Sequence, residues 1–226
     1  MIYVMSDIHG QYDKYMKMLE LINFNDNDTL YILGDFVDRG EDGIKVLLDV
    51  IDRPNIISLI GNHDWLLAFL CGDYKKLVKR MGIEEVKKWF NAWFSDGGTP
   101  TFESYKQLPR EDKEKVIQYI KDMHYLMEIE VNNEKYLLAH TVPPLDDVPL
   151  LEHPAGDFID SEPDYDKRYF EDKTIITGHT PTILIDEKSN DKIWYGNGHI
   201  AIDCGAGWDG ALGCLCLDDM KEYYIK

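Results

Sequence analysis

Three short apolar runs near the amino terminus, residues 2–5, 29–33 and 56–60, each stop at a polar motif, and stretches of helical period separate them. Residues 11–22 place Tyr15, Met18, Leu19 and Ile22 at helical spacing, and residues 44–51 form a second such stretch. This strand–helix alternation specifies parallel strands with right-handed crossovers. The motifs then fall at the carboxyl ends of strands, where such sheets place ligands. They are Ser6-Asp7-Ile8-His9-Gly10, Gly34-Asp35-Phe36-Val37-Asp38-Arg39-Gly40 and Gly61-Asn62-His63-Asp64. A fourth, Thr177-Gly178-His179-Thr180, closes a later apolar run. Their Asp, His and Asn side chains are expected to converge at one edge of one sheet.

Residues 65–122 change character. Helical periods dominate, with breaks at Gly97-Gly98 and Leu108-Pro109, so this stretch is expected to form a helical insertion on one flank. Its aromatic cluster of Trp89, Phe90, Trp93 and Phe94 reads as core rather than as a substrate platform. Strands resume at 126–131 and 135–139 around Asn132-Asn133, a hairpin turn because Asn tolerates positive φ. Residues 141–172 form an acidic loop carrying five prolines, and so long a stretch without clear structure is usually functional or mobile. Further strands are expected at 174–177, 193–195, 200–203 and 212–217. Residues 1–226 are expected to form one domain.

Charge narrows the partners. The formal net charge of −18 argues against nucleic acid or an anionic membrane, since both are polyanions. No apolar run reaches the ~18 residues of a membrane span and no basic leader precedes the first strand, so the cytoplasm is the expected location. The four cysteines, Cys71, Cys204, Cys214 and Cys216, show neither a disulfide framework nor zinc spacing, and read as small buried side chains.

The motifs themselves suit cation chemistry. Residues two apart at a strand end point to one side, so Asp7 and His9 can share a metal. Asp35 can bridge two ions, Asn62 offers an amide oxygen, and His140 and His179 offer two more nitrogens. Mixed oxygen and nitrogen ligation suits Mn²⁺, Fe or Zn²⁺ rather than Ca²⁺. His124, His153 and His199 lack motif context and read as structural.

The ordered series D-x-H-G, G-D-x-V-D-R-G, G-N-H-D, isolated histidines and G-H-T resembles the metal-dependent phosphoprotein phosphatase family of calcineurin-like metallophosphoesterases, from residue 2 to about residue 205. The size and the Trp93…Gly97-Gly98…Thr101 stretch are similar to its bacterial and phage branch. The resemblance implies an α/β fold, a β-sandwich flanked by helices. It implies two divalent metals, Mn²⁺ being the expectation. Asp7, His9 and Asp35 would hold one, and Asp35, Asn62, His140 and His179 the other. A metal-bridging hydroxide would attack phosphorus in line. His63 would protonate the leaving alkoxide, held by Asp38, while Arg39 forks onto phosphoryl oxygens. Arg39, Asn62 and Arg168 would face the substrate.

The chain departs from the family pattern twice. Gly61-Asn62-His63-Asp64 ends in Asp where most relatives have Glu. Glu162, before Pro163-Asp164-Tyr165, stands where relatives carry a phosphate-gripping arginine, which leaves Arg168 as the nearest substitute. The expected reaction is hydrolysis of phosphate monoesters, on phosphoserine or phosphothreonine of proteins, with phosphotyrosine also within reach. A nucleotide or bis(nucleosyl) polyphosphate hydrolase is the alternative enzyme, and a non-catalytic phosphate-binding scaffold the alternative of another class.

Overall fold

A computed structural model describes residues 1–226. Its layering follows from period-two burial in the strands. In β1 (Ile2–Met5), Tyr3 and Met5 enter one apolar core and Val4 enters another. The same alternation holds in β9 (Leu212–Cys216), where Cys214 and Cys216 join the core of Tyr3 and Met5 while Leu215 points the other way. All four cysteines are free, as their spacing implied.

The parallel strands β1, β2 (Thr29–Ile32) and β3 (Ile56–Ser58) pair side by side, Val4 opposite Tyr31 and Tyr31 opposite Ile57. On the other side of β1 lie antiparallel β9 and β10 (Glu222–Ile225), giving the order β10-β9-β1-β2-β3. The sequence reading lacked β10, whose only apolar alternation, Tyr223 and Ile225, borders charged residues.

A second sheet takes β4 (Leu126–Val131), β5 (Glu134–Ala139), β6 (Thr174–Thr177), β7 (Trp194–Gly196) and β8 (His199–Ala201), in the order β4-β5-β6-β8-β7. The β4–β5 hairpin turns through Asn132 and Asn133 at φ 52° and 67°, the left-handed pair such a turn requires. The two sheets face each other across Val4, Leu33, Leu59, Val131, Tyr136, Leu138, Ile176 and Ile200. The expected β-sandwich is present, and what is corrected is the expectation that the motif side chains gather at the edge of one sheet. Once β3 has paired with β2, its free edge takes only the backbone of His124, through Ile60 and Ser58, and the chain then builds a new sheet over the first.

Helices cover the outer face of the first sheet: α1 (Tyr12–Leu21), α2 (Gly43–Ile51) and a run over 62–122. That run comprises α3 (Asn62–Leu67), α4 (Tyr74–Met81), α5 (Ile83–Trp93), α6 (Thr99–Gln107) and α7 (Arg110–Asp122). It starts three residues earlier than its sequence periodicity suggests, so Asn62 and His63 open α3. The Gly97-Gly98 break falls between α5 and α6, with Gly97 at φ 95°. The outer face of the second sheet has no such helices. There the proline-rich 141–172 segment lays Val142 and Phe158 against Leu137, Ala139 and Ile175. The loop's role is thus cover for an apolar sheet face, and its prolines suit a path with few backbone partners. No helix is long and apolar enough to cross a membrane.

Candidate active site

The site is built where strands of both sheets end. Asp7 and His9 follow β1, Asp35 follows β2, and Asn62 and His63 follow β3; His140 follows β5 and His179 follows β6. Six of the residues here sit in the left-handed region: Asp7, His9, Asp35, Asp38, Arg39 and His179, at φ between 46° and 71°. Such backbone strain costs about 1–3 kcal/mol per residue and persists only where the surroundings over-determine it. The surroundings are ladder-like hydrogen bonds between strand ends, Asp7 N to Gly34 O, His9 N to Asp35 O and Gly10 N to Phe36 O. Glycine permits the close approach. A Cβ on Gly61 would strike the Asp35 carboxylate, and one on Gly178 the Asp7 carboxylate.

The side chains meet as follows. Asp35 Oδ2 lies 3.5 Å from His9 Nε2 and 3.5 Å from His140 Nε2, between the two halves of the cluster. His9 Nε2 is 3.9 Å from Asp7 Oδ1. Asn62 Oδ1 is 3.1 Å from His140 Nε2 and 3.2 Å from His179 Nδ1, and those two nitrogens are 3.2 Å apart. Asp7, His9, Asp35 and His140 are all buried.

The tautomers are set from outside the cluster. His9 Nδ1–H donates to Val37 O and His140 Nδ1–H to Leu33 O, so both Nε2 lone pairs turn inward. Burial holds His140 and His179 down at about 3, and His9 well below its ordinary value, so the imidazoles are neutral. Burial likewise pushes Asp7 up to about 6, against the bonds from Ser6 and the His179 amide, and Asp35 well above the carboxylate range. Inward lone pairs of two imidazoles and an amide oxygen, beside two carboxylates that burial strips of water, form a donor set that fits divalent cations.

Beside it stands a buried imidazole–carboxylate pair. His63 Nδ1–H donates to Asp38 Oδ2 at 2.7 Å, and Trp93 Nε1–H donates to the same oxygen at 2.6 Å. Burial alone would lower the His63 value, but Asp35, then the Asp38 bond, raise it to about 9. His63 Nε2 faces Arg39 Nη2 at 3.3 Å, two donors around a space where an anionic oxygen fits. Arg39 Nη1 also donates to His9 Nε2 at 2.8 Å, so the guanidinium has to turn aside when a cation takes that nitrogen. Its stem runs between the backbones of Gly97 and Gly207, and its head lies over the Trp208 ring at 4.3 Å.

Arg168 is not brought here, and its assignment to substrate is corrected. It lies exposed against Gly198 at the amino end of β8, its Nε donating to Phe170 O. His179 follows the carboxyl end of β6, which runs parallel to β8, so a strand length separates the two. Glu162 is exposed and accepts a weak 3.5 Å bond from Thr180. Sequence reasoning missed four positioning groups. Buried Asp64 accepts the amides of Asp35, Phe36 and Gly61 and so shapes the Asp35 turn. Thr101 Oγ1 accepts Asp38 N–H, Gly97 O accepts Arg39 N–H, and Trp93 holds Asp38. Only the spacing Trp93…Gly97-Gly98…Thr101 hinted at the last three.

The description "Calcineurin-like phosphoesterase" belongs to the family model that matches residues 1–205. A symmetrical bis(5'-nucleosyl)-tetraphosphatase of Wigglesworthia glossinidia brevipalpis is 41% identical over 86 residues, which is 37% of this chain and 32% of that protein. Serine/threonine-protein phosphatase 2 of Salmonella typhimurium is 29% identical over 142 residues, 62% of this chain and 57% of that one. The chain thus spans about a third and somewhat over half of these relatives. Among solved structures, a putative diadenosine tetraphosphatase superposes with TM-score 0.64 at 17% identity, covering 99% of this chain and 92% of that one. A serine/threonine phosphatase from Saccharomyces cerevisiae gives 0.54 at 14% identity over 94% and 71%. At such identities the likeness is one of fold.

Proposed function

The chain belongs to the calcineurin-like phosphoesterase family, and from that premise we propose that it is a phosphatase of phosphate monoesters, acting on phosphoserine or phosphothreonine of proteins. The observation that carries the reading is the His63–Asp38 pair beside Arg39, set against the donor cluster. Asp7, His9, Asp35, Asn62, His140 and His179 would hold two divalent metals, with Mn²⁺ the first choice. When bound, such ions supply a water made nucleophilic at neutral pH and neutralise phosphoryl charge.

The chain's own residues do the rest. Arg39 offers two parallel N–H groups to the phosphoryl oxygens and fixes their orientation. His63 carries a proton on Nε2 toward the leaving oxygen, and as the P–O ester bond breaks that proton passes to the alkoxide. Asp38 holds the ring in place and favours its charged form. Asp64, Thr101 and Trp93 keep Asp35 and Asp38 from relaxing.

A second reading, hydrolysis of a bis(nucleosyl) polyphosphate, is favoured by the 41% identity to the tetraphosphatase over 86 residues. Against it stands the shortage of cations. Arg39 is the one arginine or lysine paired with the cluster, with His63 the only other cation beside it, where a polyphosphate would need several. Protein reloaded with Mn²⁺ should turn over phosphoserine peptides with a higher kcat/KM than diadenosine tetraphosphate; the reverse order selects the second reading.

A further inference from the structure

The half-exposed carboxylate of Asp96 stands on the α5–α6 kink with Oδ2 3.6 Å from His63 Nε2 and Oδ1 3.9 Å from Arg39 Nη2. His63 Nε2 is the atom that faces the leaving oxygen in the reaction proposed above, so Asp96 lies on the leaving-group side of the site. The kink is fixed: Gly97 O accepts the Arg39 amide, and Gly98 packs against the Trp93 ring. Asp96 is therefore held over the site by the elements that hold the acid and the arginine. It has no hydrogen-bond partner of its own that would turn it away.

We propose that Asp96 is a specificity-determining residue: its charge selects phosphomonoesters whose leaving group carries neutral or basic neighbours, and disfavours acidic flanks. The proposal rests on the phosphomonoester reading and names the substrate class within it. The physical reason is simple repulsion. A carboxylate on the leaving group would come within several ångströms of Asp96, while an ammonium there would find a partner. Arg39 cannot screen both, because the phosphoryl oxygens engage it. Glu162, on the Thr180 side of the site, adds charge of the same sign.

The test uses two phosphoserine peptides of one sequence, with Asp or Lys on both sides of the phosphoserine, and Mn²⁺-loaded protein. Wild type should favour the Lys peptide in kcat/KM, and Asp96→Asn should narrow that ratio by roughly three- to tenfold at low salt, the scale of one charge at such a distance near a surface. Asp96→Glu, which keeps the charge, should retain the wild-type ratio. Glu171→Gln, a distant and fully exposed carboxylate, should leave it alone, which separates Asp96 from the general field of a −18 chain. A ratio unaffected by Asp96→Asn, or one shifted equally by Glu171→Gln, overturns the proposal. Absence of turnover on both peptides and on nitrophenyl phosphate overturns the phosphomonoester reading, and the proposal with it.

Discussion

Asp35 is the side chain on which both halves of the cluster depend, since its Oδ2 stands 3.5 Å from His9 and from His140. Asp35→Asn should lower metal content and abolish turnover while the fold survives, because the strands around it supply the core. Elemental analysis finding two tightly held metals in an active variant would refute that role. His63→Asn keeps a hydrogen bond but cannot deliver a proton, so alkyl phosphates should lose about 10²–10⁴ in rate. A nitrophenyl leaving group, needing little protonation, should lose less; equal losses would mean His63 is not the acid. Arg39→Ala removes a charge-assisted fork, worth on the order of 1.5–3 kcal/mol, or about 10- to 160-fold in kcat/KM. Arg168→Ala should be nearly silent, because that guanidinium bonds its own loop on the far end of the sheet. A harmless Arg39→Ala would remove the phosphate pocket as drawn.

The helical run over 62–122 both covers a sheet and holds the proposed acid–arginine group in place. α5 sends Trp93 to Asp38, the kink sends Gly97 O to Arg39, and α6 sends Thr101 to Asp38 N–H. The aromatic cluster reads as core in the sequence, and that holds for Trp93, whose ring is fully buried, while Phe90 and Phe94 are half-buried and Trp89 is exposed. Its second task was not legible, because Trp93 and Asp38 lie 55 residues apart and no local pattern links them. Trp93→Phe keeps most of the packing and deletes the N–H. It should cost about 1–3 kcal/mol in melting experiments and about tenfold in kcat on alkyl phosphates, with metal content unchanged. Metal loss in that variant would show that the insertion acts through the cluster rather than through Asp38. The proline-rich segment offers the converse case. Its composition pointed to function or motion, yet Phe158 and Val142 seal a sheet face there. Burial of a face across some 20 residues of sequence separation leaves no periodic trace.

For the whole molecule, the −18 charge and the buried carboxylates make cations a matter of stability as well as chemistry. Free Mn²⁺ at about 100 times its dissociation constant should stabilise the fold by about 2.7 kcal/mol per site. For a chain of this size each kcal/mol raises the melting temperature by about 2–4 °C. Wild type should show that rise in a thermal scan, and Asp35→Asn should stay nearly flat; equal rises in both would place the binding elsewhere. The parallel β1–β2–β3 core and the donors at its strand ends are legible in the residue pattern alone. Those features rest on side-chain period and on short turns, which are local. So is the alternation that sends Cys214 and Cys216 to one face. That the donors come from two sheets is a product of packing, since the making of a sandwich depends on which apolar faces bury each other. Tertiary packing also set Asp64 behind Asp35 and Asp96 over His63, and put Arg168 a strand length away. Each of those placements is a contact, or the loss of one, between segments that the chain's local rules never compare.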